Sequence, residues 1–338
     1  MSSSVSAAPR RLYIALIVVL SVALVSLLAI YLRVDGAPPE VGSTMTTLGP
    51  GENAGEPSFL YPVQVPADRP FRPRNSAVAG SRVYVADSEG QRVAVLDLAE
   101  GQEAQIGFIP ITPDSLDQEL PRDPQPTAVG VLADGTLLVA DAANGRVWRL
   151  TPDGSFLGDF ISEDERTRSE LLSPVGLAVT PTEVLLTDVG DQRVKAFSTS
   201  GSYLRYFGGE GFHPGEFSFP NALAVDRDGL VYVADSNNKR VQVIGAESGV
   251  VTVIDKADTE EGLVLPRGLA FDRFGRLHVV DTFGQAVQVY GSDGGLLYTY
   301  GRGPGDSRRL TLPEGIAITN DRIVISDGGA RRLVVYSY

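Results

Sequence analysis

The 338-residue chain has no cysteine, which excludes disulfides, thiolate nucleophiles and cysteine-based zinc sites. Its formal net charge is −13, and residues 1–33 hold three arginines and no acid, so the rest carries 26 basic against 42 acidic residues. A surface that acidic repels phosphate backbones and argues against nucleic acid as a partner, while 37 glycines and 22 prolines suit an all-β fold with many tight turns.

Residues 1–11 read as a short cytoplasmic tail. Residues 12–32, from Leu12 to Leu32, are 21 uncharged positions, LYIALIVVLSVALVSLLAIYL. As a helix they would span roughly 30 Å, the thickness of a bilayer's hydrocarbon core. Tyr13 and Tyr31 near the two ends suit the headgroup region, and Arg10 and Arg11 favour a cytoplasmic N-terminus. A cleaved signal peptide would have a shorter apolar core and a small-x-small exit, whereas this one leaves through AIYLRVDG. The expectation is an uncleaved signal-anchor: a single-pass protein of the cell membrane, with its remaining bulk extracytoplasmic. Residues 33–56, rich in Gly, Pro, Ser and Thr, read as a flexible linker.

From residue 57 one unit recurs six times. Its clearest piece is a β-run ending in Asp, at Asp87, Asp141, Asp188, Asp235, Asp281 and Asp327, with spacings of 54, 47, 47, 46 and 46. A proline lies 14 or 15 residues before each, at Pro73, Pro126, Pro174, Pro220, Pro266 and Pro313, and opens another β-run such as ALAV. Arg follows the Asp by five residues at Arg92, Arg146, Arg193, Arg240 and Arg332, and Ala286 stands there in the fifth unit. Four short strands at this period predict an all-β, six-bladed β-propeller over 57–338. Only 11 residues follow Asp327, so residues 58–65, SFLYPVQV, are expected to supply the last blade's outer strand and close the ring.

A residue repeated once per blade reads as scaffold, so the six aspartates and five arginines are taken as structural staples and not as metal sites. The residue after each blade proline should ring one mouth of the central channel: Arg74, Thr127, Val175, Asn221, Arg267 and Glu314. This ring breaks the sixfold repetition, and Arg74, Asn221, Arg267 and Glu314 are the candidate ligand-binding residues. The alternative is an unspecialised wet mouth. Residues 101–125 and the charged stretch 162–173 exceed the repeat and read as surface loops, the second as a short helix. Trp148 reads as interblade core.

The unit resembles the NHL-repeat family, in its membrane-anchored bacterial form. The resemblance rests on the Pro-x-Gly-hydrophobic-Ala opening, the hydrophobic-Ala-Asp strand end and the Arg-Val-x-Val third strand, most fully in PNALAVDRDGLVYVADSNNKRVQVI from Pro220 to Ile244. It implies a propeller over about residues 57–338, and function lives in sites rather than in folds. Proteins of this look include protein and RNA binders, sensors of receptor kinases, and lyases or lactonases that use histidine or a metal. This chain has only His213 and His278, in unlike settings, which falls short of a three-ligand site; His278 reads as a packed, satisfied histidine. No catalytic residue, metal site or cofactor is expected. The reading is a membrane-tethered extracytoplasmic module that binds a protein, glycan or small ligand without catalysis. The alternatives are a metal-dependent lyase or lactonase-like hydrolase, and an assembly or scaffold subunit of a membrane complex.

Overall fold

Each repeat consists of short, largely apolar runs such as LLVAD and LHVVD, buried on both faces and cut by turns of small and polar residues, so its strands pair with their sequence neighbours. The computed structural model describes residues 55–65, 69–98, 104–116, 119–161, 171–245, 249–255 and 262–338. Among them lie six four-stranded antiparallel sheets, the blades of a six-bladed β-propeller. The innermost strands, in blade order, are Pro73–Ala79, Pro126–Val131, Pro174–Val179, Pro220–Val225, Pro266–Phe271 and Pro313–Ile318. The sixth sheet takes strands from both ends of this unit. Ser58–Gln64 runs antiparallel to Arg332–Ser337, with Ser58 opposite Ser337 and Gln64 opposite Arg332. No helix among the described residues is long and apolar enough to cross a membrane. Residues 12–32, most of the 33–56 linker and 162–170 lie outside the described residues.

The core is a set of apolar layers between neighbouring blades. Where the ring closes, Val83 and Val85 of blade one meet Val324, Leu333 and Val335 of blade six, and the closing strand adds Val63. Burying such surfaces drives the blades together without any cross-link. Trp148 is fully buried between blades one and two, edge-on to Phe156 at 6.1 Å.

The region 101–125 departs from the expected loop. Gln105–Pro110 is the outer strand of blade one, and Ile111 and Leu116 are fully buried in the layer beneath it. The run QIGFIP carries enough apolar side chains to complete the sheet, so the extra length begins only after it.

Each of the six aspartates is fully buried and accepts from the segment that precedes its blade's proline, and all but Asp327 also accept from the turn after their own strand. Asp87 accepts from the amides of Arg72 and Gly90, at 2.8 and 3.0 Å. Asp188 accepts from Leu172 and Ser173, both at 2.8 Å, and Asp327 from Thr311 and Leu312 at 3.0 and 3.1 Å. The carboxylate thus closes the end of the blade where the chain turns into the innermost strand.

The arginine partner is less regular than the repeat suggests. Arg92, Arg240 and Arg332 pair with Asp87, Asp235 and Asp327 at 2.7, 2.8 and 3.1 Å. In blade two Arg146 pairs with Asp159 at 3.1 Å, and Asn144 holds Asp141 at 2.7 Å. In blade three Arg193 lies 3.7 Å from Asp191, and Lys195 takes Asp188 at 2.8 Å. In the fifth blade, where Ala286 replaces arginine, Gln288 approaches Asp281 at 3.4 Å. Lys195, Gln242 and Gln288 stand two residues beyond the arginine position, on the same face of the third strand, and Gln242 likewise reaches Asp235 at 2.9 Å.

Candidate functional site

A bulge builds the channel mouth. In blade four Pro220 pairs with Asp235, but Ala222 pairs with Ala234, so Asn221 is the extra residue of the innermost strand. The same slip leaves Thr127, Val175, Arg267 and Glu314 unpaired in their ladders, and in blade one it falls between Pro73 and Ser76. A bulged residue is re-aimed away from the sheet, so one side chain per blade is released towards the axis.

These side chains line a cavity of about 220 Å³ at the channel mouth, which contains all four sequence candidates, Arg74, Asn221, Arg267 and Glu314. Glu314 is buried and organises the charges. Arg74 Nη1 hydrogen-bonds its Oε2 from across the blade-six to blade-one boundary. Arg267 Nη1 approaches the same oxygen at 3.3 Å from blade five, and Arg72 Nη2 lies 3.6 Å from Oε1. Burial pulls the Arg74 guanidinium below the usual arginine value and Glu314 pulls it up. Asn221 is held by Ser236 Oγ at 2.7 Å and the Phe219 carbonyl at 3.0 Å. The mouth therefore carries three guanidiniums against one carboxylate. Arg267 Nε is buried with no hydrogen-bond acceptor among the described residues.

Seven lining residues lie outside the ring read from the sequence, among them Arg72 and Asn75. Arg72 precedes Pro73, on the other side of the proline from the ring position, so the break in the ring does not reveal it. The repeat does reveal Asn75. The second residue after each blade proline reads Asn75, Ala128, Gly176, Ala222, Gly268 and Gly315, so one side chain breaks a column of small residues. Asn75 Nδ2 donates to the Val175 carbonyl at 2.9 Å and to the Asn221 carbonyl at 3.2 Å, reaching from blade one to blades three and four. The column is small because the strands crowd there: a Cβ on Gly315 would sit 2.2 Å from the Arg74 carbonyl, and one on Gly176 2.7 Å from that of Asn221. Three residues after each proline the same strands line a second, apolar cavity of about 250 Å³ that includes Val129, Leu177, Leu223, Leu269 and Ile316.

Neither histidine lines the mouth. His278 is fully buried, with Nδ1 3.0 Å from the Tyr300 hydroxyl and Nε2 3.2 Å from Asp272 Oδ2 and 2.9 Å from the Tyr338 hydroxyl. Burial pushes its pKa down against the pull of Asp272. The Asp272 carboxyl, pushed up by burial, is nevertheless held well below the usual carboxylate range by hydrogen bonds from His278 and Arg276. His213 lies in the glycine-rich connection, its ring 4.3 Å from that of Phe212. No group of three His, Asp or Glu among the described residues is arranged to hold a metal ion.

Fold and mouth together define a six-bladed β-propeller with a cationic channel mouth, and residues 217–244 match the family model of the NHL repeat. A search of the curated proteins finds no match. Among solved structures the chain is similar to virginiamycin B lyase from Staphylococcus aureus, at 15% identity and a TM-score of 0.55, over 84% of this chain and 100% of that one. It is also similar to a gluconolactonase from Xanthomonas campestris, at 17% identity and a TM-score of 0.57, over 85% and 99% of the two chains. A chain of a nidogen/laminin complex matches at 16% identity and a TM-score of 0.56, over 76% of this chain and 86% of that one. At these identities the likeness is one of fold.

Proposed function

We propose that the chain is a non-catalytic binding module that holds its ligand at the channel mouth and is tethered to the membrane by residues 12–32, with the propeller on the extracytoplasmic side. The observation that carries the binding reading is the gathering of Arg72, Arg74 and Arg267 around the single buried Glu314 in an open cavity, where guanidinium donors outnumber their acceptors. The non-catalytic reading is supported by what lines that cavity. No histidine lines it, and its one carboxylate, Glu314, is already engaged by Arg74, Arg267 and Arg72. The tether reading is supported by the uncharged 21-residue run and the Arg10–Arg11 pair before it. The lyase and lactonase likenesses favour an enzyme only through shared fold, which hosts many functions.

The test is retention of a small molecule through purification from cells. Wild type and Arg240→Ala, whose change lies in the scaffold, should retain the same compound, and Arg267→Ala should lose it. Equal retention by all three would place binding away from the mouth.

A further inference from the structure

The charged and uncharged residues of the mouth are not interspersed. Arg72 and Arg74 come from blade one, Arg267 from blade five and Glu314 from blade six, which are contiguous around the ring. The other half of the wall, from blades two, three and four, carries no charge and sets Ala142, Val175, Val189 and Phe219 beside the neutral polar Gln125, Thr127, Ser173 and Asn221. Phe219 is held at a positive φ of 56°, a conformation that costs a bulky residue energy, and its side chain is exposed at 48%. Below both halves, Asn75 bridges to the carbonyls of blades three and four and stands between the mouth and the apolar cavity beneath.

From this we infer that the mouth is a blind, two-sided pocket for a small monoanion with a compact apolar body, of the aryl- or alkyl-carboxylate class. The inference rests on the mouth being the binding site, as proposed above. The anionic group lies among Arg72, Arg267 and Arg74. The partly exposed guanidinium of Arg267, 27% accessible and engaged by Glu314 only through Nη1, supplies the donors such a group satisfies. The apolar body lies against Val175, Val189 and Phe219, on surface that water solvates poorly. A cation is repelled by the excess guanidinium charge. The volume of about 220 Å³ and the Asn75 floor fit a compound of this size and stop a chain from threading the channel.

Three probes separate the elements of this inference: phenylacetate, acetate and 2-phenylethylamine. Each is titrated into the full chain, in neutral detergent, while the methyl resonances of Val175 and Val189 are followed. Phenylacetate should shift both methyls and bind at least about tenfold more tightly than acetate, and 2-phenylethylamine should leave them unmoved. Arg267→Gln should weaken phenylacetate by about tenfold or more at an unchanged melting temperature. Equal affinities for acetate and phenylacetate would remove the apolar half of the inference and leave the mouth as a binding site. Equal affinities for phenylacetate and 2-phenylethylamine, or an unaltered affinity in Arg267→Gln, would overturn the anionic class. No shift with any of the three probes would overturn the mouth itself as the site.

Discussion

The side-chain amide of Asn75, in blade one, donates to the backbone carbonyl of Asn221, in blade four, 3.2 Å away. In a ring of six these blades face each other, so one hydrogen bond joins opposite sides of the propeller. The other five blades place glycine or alanine at the matching position, where their strands crowd at the axis. Replacing Asn75 with Ala should therefore remove the cross-axis ties and leave two carbonyls short of a donor, at about 1–3 kcal/mol of stability. Denaturant unfolding of the full chain checks this, and a midpoint equal to wild type would show that the bridge contributes nothing.

The closing sheet makes a second expectation. Val63 is buried against the blade-one and blade-six core, and its strand covers the edge of Arg332–Ser337. Val63→Asp should lower stability by several kcal/mol through a buried unpaired charge. Deleting residues 58–64 should leave an open strand edge and promote aggregation. Deleting residues 34–54 should do neither. Size-exclusion profiles and melting curves of the three variants decide it, and equal behaviour of the two deletions would refute closure from both ends.

The staples should respond according to the side chain that holds each aspartate. Arg240 reaches Asp235 at 2.8 Å and also donates to the carbonyls of His213 and Glu216. Its removal leaves a fully buried carboxylate without its cation, a loss of about 3–5 kcal/mol. In blade three the same sensitivity should belong to Lys195, which lies 2.8 Å from Asp188. Arg193→Ala should be mild, because that side chain is more than a third exposed and its ion pair with Asp191 spans 3.7 Å. A larger loss for Arg193→Ala than for Lys195→Ala would reinstate the simple repeat.

These cases mark what the sequence makes legible. Six blades follow from a period, and the proline and aspartate positions fix the register of every innermost strand. The ring of Arg74, Asn221, Arg267 and Glu314 is legible for the same reason, because a bulge at a fixed offset aims one residue per blade at the mouth. The pairing within that ring is not. Which arginine reaches Glu314 depends on how close neighbouring blades come, a distance that no spacing along the chain records. Lys195 escapes for a related reason: the pattern points to an arginine five residues after the aspartate, while a lysine two residues further on shares the same face and fills the role. Asn75 is legible too, as the one large side chain in a column of glycines and alanines one position beyond the ring.

Topology is tested by protease added to intact cells. The proposed orientation places Arg10 and Arg11 in the cytoplasm, so the propeller should be degraded or released from outside and an N-terminal tag should stay protected. A propeller protected until the membrane is opened would overturn the orientation.

The last expectation concerns acid. His278 is fully buried among Asp272, Tyr300 and Tyr338, and Arg276 stands 2.6 Å from the same Asp272 oxygen that faces the imidazole. Burial lowers the pKa of His278 in the folded chain below its ordinary value, so the unfolded chain takes up the proton first as pH falls. The stability linked to this group is therefore complete above the unfolded value, about 6.5, and is lost as pH falls below it towards the depressed folded value. One proton limits the slope to about 1.4 kcal/mol per pH unit. Asp272, also depressed, adds a loss of the same sign at lower pH, where unfolded aspartates begin to protonate. His278→Gln keeps a donor for Asp272 and an acceptor for the Tyr300 hydroxyl but cannot titrate. Unfolding free energies measured between pH 7.5 and pH 5 should fall for wild type and stay flatter for His278→Gln. If His278→Gln lost stability with the same slope as wild type, the acid sensitivity would lie in another group.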